Sequence, residues 1–159
     1  MRLIFLRHGK AIESGEMPDS ERYLTDKGIE LLEENLPYMG EYLGDEKVFI
    51  WSSPLKRAQE TAEILKKFIS DYEYSEHDFI ATGKIDFLIE ELKKLESNSV
   101  VVVVGHEPSL SVWTFKLTGE NLDMKKGSVV ELEFNKNNPN NGKFLHYKKI
   151  KDLKELIEP

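Results

Sequence analysis

The chain has 159 residues, which is enough to bury a sizeable core, and we expect a single domain over residues 1–159. A formal net charge of −7 argues against a broad nucleic-acid-binding surface, and the lack of cysteine excludes disulfides, thiolate catalysis and cysteine-based metal sites. The apolar N-terminus is too short for a signal peptide and the run 100–104 is too short to span a bilayer, so we expect a cytoplasmic protein.

The first 44 residues predict one strand and one helix. Residues 2–6 form a continuous apolar run, which is typical of a buried parallel strand. A polar loop over residues 10–22 follows, and Thr25 then offers the hydroxyl that caps a helix. Apolar residues recur along that helix at helical spacing, while Pro37, which lacks a backbone N–H, predicts a kink or a division within it. Gly44 ends the helix.

A second strand–helix pair follows. Residues 48–51 predict a strand. Ser53 is then a suitable N-cap and Pro54 a suitable first helical residue, which predicts a helix that runs to about Ile69. Residues 70–82 are ambiguous, and Tyr72 and Tyr74 would suit an edge strand.

The clearest strand of the chain lies in its second half. Residues 85–95 carry one apolar stripe and predict a helix. Residues 99–104 are rich in valine and uncharged, which predicts a fully buried strand. Pro108 then opens another helix, which we expect to end near Leu117.

The last third predicts a hairpin. Residues 128–134 form a strand, 137–142 form a turn rich in asparagine, and 143–150 pair back on the strand. Residues 151–159 form a short charged helix or tail. Together the elements predict an α/β protein, a three-layer α/β/α sandwich whose central sheet is mostly parallel with an antiparallel edge.

Histidine and arginine side chains follow three of the predicted strands. Arg7 and His8 come after the first strand, Arg57 after the second and His106 after the third. The ends of parallel strands converge on one crevice, so we expect these side chains to meet. Two imidazoles and two guanidiniums suit a phosphoryl group, because one histidine can act as nucleophile while the cations hold the oxygens. Gly9 removes a side chain where the backbone would pass close to the ligand.

Each of these residues also has a purely structural interpretation. His8, taken alone, is more simply a histidine whose hydrogen bonds are satisfied at a strand end, and His106 would cap a strand–helix junction. Arg57 would form a surface ion pair with Glu60 or Glu63. The joint occurrence of all four residues, rather than any single one, favours the phosphoryl site.

The motifs that carry these residues resemble those of the histidine phosphatase superfamily. They are Arg7-His8-Gly9, Arg57 after Ser52-Ser53-Pro54, and Gly105-His106-Glu107-Pro108. Three strings are similar to the small bacterial and archaeal phosphohistidine phosphatases: Tyr23-Leu24-Thr25-Asp26-Lys27-Gly28, Gly105-His106-Glu107-Pro108-Ser109-Leu110 and Lys126-Gly127-Ser128-Val129. The resemblance covers nearly the whole chain, in order.

This resemblance implies a fold like that of phosphoglycerate mutase and a phosphatase that forms a covalent phosphoenzyme. It implies that His8 is the phosphate-accepting nucleophile and that Arg7, Arg57 and His106 form the phosphate pocket. It also implies that neither a metal nor another cofactor takes part.

The chain departs from larger members of the superfamily in two ways. Only residues 70–84 separate two helices where those members carry a helical lid, and an open site suits a phosphorylated residue on a protein. No general acid can be assigned, the candidate carboxylates being Glu13, Asp86, Glu90 and Glu107. Glu107 is nearest in sequence to the pocket, and we take it as a substrate-binding candidate.

Phosphohistidine is a substrate that can be hydrolysed without a general acid, because of the chemistry of its leaving group. An alkoxide needs a proton to leave, whereas the imidazole of phosphohistidine leaves as a neutral ring when its other nitrogen is already protonated. We therefore expect a protein phosphohistidine substrate, no nucleic-acid or membrane partner, and a monomer or weak dimer. The alternatives are a broad phosphomonoesterase or sugar-phosphate phosphatase, and a non-catalytic module that binds phosphate or phosphohistidine.

Overall fold

A computed structural model of the chain describes residues 1–158. Its strands form one six-stranded sheet in the order β3-β2-β4-β1-β5-β6. The strands are β1 (Arg2–Arg7), β2 (Lys47–Ser52), β3 (Asp71–Glu76), β4 (Val100–Gly105), β5 (Val129–Glu133) and β6 (Lys143–Lys148). The first four strands pair in parallel, whereas β5 runs antiparallel to β1 and β6 antiparallel to β5. The predicted mixed sheet and C-terminal hairpin are confirmed.

Helices cover both faces of this sheet. They are α1 (Asp26–Leu43), α2 (Lys56–Lys66), α3 (Asp78–Thr82), α4 (Ile85–Lys93) and α5 (Ser109–Thr118), with short 3-10 turns at Asp19–Glu21, Pro139–Asn141 and Ile150–Leu156. One face packs on α1, α2 and the last 3-10 turn, and the other on α3, α4 and α5. The predicted three-layer α/β/α sandwich is confirmed. Within residues 1–158, no helix is both long and apolar enough to cross a membrane.

Alternation along the central strands supplies both cores. In β1, Ile4 and Leu6 belong to the core under α1 and α2, whereas Leu3 and Phe5 belong to the core on the opposite face. Strand β4 divides its valines in the same way. Because successive side chains of a strand point to opposite faces, a strand between two helical layers must be apolar at every position. This accounts for the uninterrupted apolar runs in the sequence.

Helix α1 is one continuous helix, although Pro37 predicts a kink or a division within it. The helix runs unbroken past Pro37, so the predicted division is wrong. Leu36 and Met39, on either side of the proline, are fully buried against the sheet, and this packing outweighs the one hydrogen bond that proline cannot make. The predicted ends are confirmed: Thr25 accepts a hydrogen bond from a first-turn amide, and Gly44 ends the helix with a positive φ of 61°.

Helix α2 is shorter at both ends than the sequence predicts. Its N-cap is Leu55 rather than Ser53, and its last helical residue is Lys66 rather than a residue near Ile69. The Ser53 hydroxyl instead accepts a hydrogen bond from the Leu55 amide, 3.1 Å away, inside the turn that follows β2. The later start places Arg57 in the first turn of the helix.

The parallel pairing brings the ends of three strands to one place. The His8 amide donates to the Gly105 carbonyl at 3.0 Å, so the chain leaves β1 and β4 side by side. The Ser53 amide donates to the Val104 carbonyl at 3.0 Å, which sets the exit of β2 beside the same strand. The segments that carry the candidate residues therefore share one edge of the sheet, as parallel topology requires.

Candidate active site

His8 is a buried, neutral imidazole with one nitrogen left for chemistry. Its side chain is 6% exposed, and Nδ1 lies 2.7 Å from the Gly9 carbonyl oxygen. A carbonyl can only accept, so Nδ1 carries the proton and Nε2 keeps its lone pair. Burial lowers the pKa of His8 to about 3; the charges of Arg57 and Arg7 act in the same direction, against the hydrogen bond to Gly9. Nε2 is thus available as a nucleophile at neutral pH.

Gly9 and Thr61 join the exit of β1 to helix α2. The Gly9 amide donates to Thr61 Oγ1 at 3.1 Å, and that hydroxyl donates to the Arg57 carbonyl at 2.8 Å. A Cβ on Gly9 would lie 2.7 Å from Cδ1 of Leu32, so any side chain there would push against α1. Sequence analysis missed Thr61, although it lies one helical turn after Arg57 and therefore on the same face of α2.

Arg57 is buried at the start of α2 and is held by a loop rather than by its own helix. It is 7% exposed, and its Nη1 donates to the Asp19 carbonyl at 2.8 Å while Nη2 donates to Asp19 Oδ2 at 3.2 Å. Neither Glu60 nor Glu63 pairs with it among the described residues, so the purely structural alternative of an ion pair with them is wrong. Its buried Nε has no hydrogen-bond partner in residues 1–158.

Arg7 is fixed by the loop between α5 and β5. Its Nη1 donates to the Met124 carbonyl at 2.8 Å, and its buried Nε has no partner in the part of the chain that the structure describes. The Met124 amide in turn donates to Glu107 Oε2 at 3.2 Å and to Ser111 Oγ at 3.1 Å. The loop that holds Arg7 is thereby tied to the start of α5.

Glu107 faces this loop. Its carboxylate accepts hydrogen bonds from the Ser111 amide at 2.9 Å, from the Ser111 hydroxyl at 2.5 Å and from the Met124 amide. All three contacts hold protein groups in place. Its assignment as a substrate-binding residue stays a prediction.

His106 follows β4 and lies beside His8, with 5.1 Å between the two ring centroids. Its Nε2 is 2.7 Å from Oγ of Ser53, which is fully buried and already accepts from Leu55. The Ser53 hydroxyl proton is satisfied only if it is donated to Nε2, which puts the His106 proton on Nδ1. Burial, and then the charge of Arg57, lower the pKa of His106 to about 4, so the ring is neutral at neutral pH.

These residues leave three buried donors without partners beside the His8 ring. They are Nε of Arg7, Nε of Arg57 and Nδ1 of His106, each unpaired within residues 1–158. An unpaired buried donor costs about 1–3 kcal/mol, so three in one place favour a ligand that accepts several hydrogen bonds. The charges of the two guanidiniums make an anion the favoured ligand. A tetrahedral oxyanion such as a phosphoryl group meets both requirements.

Within residues 1–158, no acidic candidate for a general acid forms a hydrogen bond or ion pair with Arg7, His8, Arg57 or His106. The candidates Glu13, Asp86 and Glu90 are exposed, and Glu107 is bonded to Ser111 and Met124. Asp19, which sequence analysis did not single out, is the carboxylate that contacts an arginine of the cluster, among the residues described. It lies in the loop before α1, a segment without periodicity from which no contact with Arg57 could be foreseen.

Comparison with known proteins gives one family. The profile of the histidine phosphatase superfamily (branch 1) matches residues 3–80, which include Arg7, His8 and Arg57 but not His106. No curated protein sequence matches the chain significantly.

Several solved structures share the fold over nearly the full chain. The protein histidine phosphatase SixA complexed with tungstate is 22% identical, with a TM-score of 0.76, over 96% of this chain and 99% of that chain. The putative phosphohistidine phosphatase SixA from Agrobacterium tumefaciens is 18% identical, with a TM-score of 0.74, over 92% and 96%. The phosphoserine phosphatase from Entamoeba histolytica, in complex with 3-phosphoglyceric acid, is 16% identical, with a TM-score of 0.69, over 96% and 98%.

The structural likeness establishes the fold, and the profile match covers Arg7 and His8 at the end of β1 and Arg57 in the first turn of α2. The geometry of the site is independent of both findings and agrees with them. Residues 3–80 thus match the histidine phosphatase superfamily, and nearly the whole chain shares its fold with solved phosphatases.

Proposed function

We propose that this phosphatase hydrolyses protein phosphohistidine through a covalent phosphoryl intermediate on His8. The observation that carries the proposal is the neutral His8 ring, with Nδ1 bonded to the Gly9 carbonyl, close to His106 and to arginines whose buried donors lack partners. Arg7, Arg57 and His106 would supply those donors. Because two guanidiniums already meet the charge of the phosphoryl group, the reaction needs no metal ion.

The first step transfers the phosphoryl group between two imidazoles. Nε2 of His8 attacks phosphorus, the bond from phosphorus to the substrate nitrogen breaks, and its electron pair stays on the leaving ring. The His8 ring becomes positively charged, and the Gly9 carbonyl, which accepts from Nδ1–H, stabilises that charge. Arg7 and Arg57 bind the equatorial oxygens as their charge changes in the transition state.

The second step releases phosphate. A water molecule attacks phosphorus on the side that the leaving ring has vacated, and the bond to Nε2 breaks. The electron pair returns to Nε2, which restores the neutral ring with its proton on Nδ1, and the water protons leave with the phosphate product. No group with a high pKa has to be protonated in either step when the leaving group is an imidazole.

Two features favour a protein substrate over a small phosphate ester. Only β3 and the five-residue α3 separate α2 from α4, which is too little chain for a helical lid over the site. Glu13, Asp86 and Glu90 are exposed and Glu107 is bonded to Ser111, which leaves no placed acid for an alkoxide. We infer that a phosphorylated protein is the partner and that the chain works in the cytoplasm as a monomer or weak dimer, without nucleic-acid or membrane contacts.

A substrate comparison tests this proposal. The protein is incubated with a peptide whose single histidine has been phosphorylated by phosphoramidate, and separately with glycerol 3-phosphate, and released phosphate is measured. We expect kcat/KM for the peptide to exceed that for the ester by at least a hundredfold, and His8→Ala to release nothing from either. Equal rates for the two substrates would favour a broad phosphomonoesterase. Tight peptide binding without release would favour a non-catalytic binding module.

A further inference from the structure

Asp19 places a negative charge at an anion-binding site. Both its carbonyl and its Oδ2 accept hydrogen bonds from Arg57, and its Oδ1 accepts one from Arg22 at 3.1 Å. Two arginines therefore hold this carboxylate in a fixed place. A phosphoryl group bound to the free Nε of Arg57 would share that guanidinium with the Asp19 carboxylate, and the two anions would repel each other. Because the Asp19 backbone carbonyl also accepts a hydrogen bond from Arg57, a charged side chain is not needed merely to hold Arg57 in place.

The carboxylate lies on the solvent side of the arginine. Arg57 is almost fully buried, whereas the Asp19 side chain is 61% exposed. Its charge also acts on His106, where it raises the pKa of the imidazole against the larger opposing effects of burial and Arg57. Asp19 thus contacts the buried Arg57 while its own carboxylate remains accessible to a substrate from solvent.

The carboxylate stays ionised and keeps acceptor capacity. Its hydrogen bonds with Arg22 and then with Arg57 lower the pKa of Asp19, so it is not a proton donor at neutral pH. Each carboxylate oxygen has two lone pairs, and the two arginines take one at each oxygen. The Asp19 carboxylate can therefore accept a hydrogen bond from a leaving group and present a negative charge to it.

We propose that Asp19 selects phosphohistidine by accepting a hydrogen bond from the second, protonated ring nitrogen of the substrate. This inference rests on the proposed function. A phosphorylated ring that is protonated on its other nitrogen leaves as a neutral imidazole, whereas the unprotonated ring would have to leave as an anion. Asp19 stabilises the protonated form, and the proton stays on the same nitrogen throughout the transfer. The same charge repels the phenolate that leaves from an aryl phosphate.

The test compares two substrates in Asp19→Asn. Asparagine keeps the backbone carbonyl and one side-chain oxygen for Arg57, but it loses the charge. We expect kcat/KM for the phosphohistidine peptide to fall at least tenfold while kcat/KM for p-nitrophenyl phosphate stays level or rises. Glu21→Gln is the matched control, because it removes one charge from the same 3-10 turn at an exposed position, and both activities should be unchanged.

Inhibition by inorganic phosphate, measured on the same samples, reports on Arg57 and should not weaken in Asp19→Asn. A parallel loss of both activities together with weaker phosphate inhibition would overturn the inference, because Asp19 would then only anchor Arg57. Unchanged peptide turnover would overturn it as well. Failure of the proposed function is seen separately, in the wild type. If the wild type does not prefer the peptide over glycerol 3-phosphate, phosphohistidine is not its preferred substrate, whatever the variants show.

Discussion

Replacing Glu107 by Gln should loosen the anchor of Arg7 without touching the phosphate pocket. The carboxylate accepts from the Ser111 amide on one oxygen, and from the Ser111 hydroxyl and the Met124 amide on the other. Glutamine has only one oxygen, so its NH2 group must face either the Ser111 amide or the Met124 amide. Either the Ser111 amide loses its partner or the Met124 amide keeps only its hydrogen bond to Ser111 Oγ, and we expect a cost of about 1–3 kcal/mol. For a chain of this length, a loss of about 2 kcal/mol lowers the unfolding temperature by about 4–8 °C.

The functional consequence follows through Met124, whose carbonyl holds Arg7 Nη1. If the freed loop weakens the Arg7–phosphate interaction by about 1 kcal/mol, the inhibition constant for inorganic phosphate rises roughly fivefold. Thermal unfolding and phosphate inhibition of p-nitrophenyl phosphate hydrolysis measure the two effects, with the exposed Glu120→Gln as control. An unchanged unfolding temperature would refute the argument from the buried donor. A lower unfolding temperature with unchanged phosphate inhibition would refute the link from Met124 to Arg7.

Three further predictions concern the His8 loop. Thr61→Val keeps the side-chain shape but leaves the Gly9 amide unpaired, so denaturant unfolding should show a loss of about 1–3 kcal/mol; no loss would mean that this hydroxyl does not fasten the loop. Gly9→Ala places a methyl group 2.7 Å from a Leu32 carbon and should cost about 1–3 kcal/mol, together with a lower kcat; full activity would show that the loop tolerates displacement. The pKa values of His8 and His106 are lowered to about 3 and about 4, so unfolding takes up protons below the unfolded value of about 6.5. The unfolding temperature should therefore fall as the pH drops from 6.5 toward 4, and a pH-independent value there would contradict the burial of both rings.

The sequence predicts the strand ends of this site because buried strands appear in it as apolar runs, and the order of strands and helices indicates a parallel sheet. A strand between two helical layers must be apolar throughout, so the polar residue that ends the run, such as His8 or His106, marks the edge of the sheet. Parallel connections then bring those edges together whatever the details of the loops. The placement of Arg57 follows from the same argument, since it opens the helix after β2.

The sequence does not reveal the contacts that adjust these side chains. Arg7 is bonded to a carbonyl 117 residues away, and Arg57 to a loop residue 38 residues before it. A backbone carbonyl carries no residue signature, and loop 10–22 has no periodicity that would fix its path. Ser53 shows the local limit, because its hydroxyl was predicted to cap α2 and instead bonds to the Leu55 amide and His106. When a side chain has both a local and a distant possible hydrogen-bond partner, the structure is needed to show which of them it contacts.

Trapping the phosphoenzyme tests the central claim, that Nε2 of His8 accepts the phosphoryl group. The wild type and His8→Ala are each mixed with a radiolabelled phosphohistidine peptide, quenched within milliseconds and separated from the peptide. We expect label on the wild type that is lost in acid and stable in base, and no label on His8→Ala. Label on both proteins, or phosphate release from the wild type without any labelled enzyme, would contradict the account.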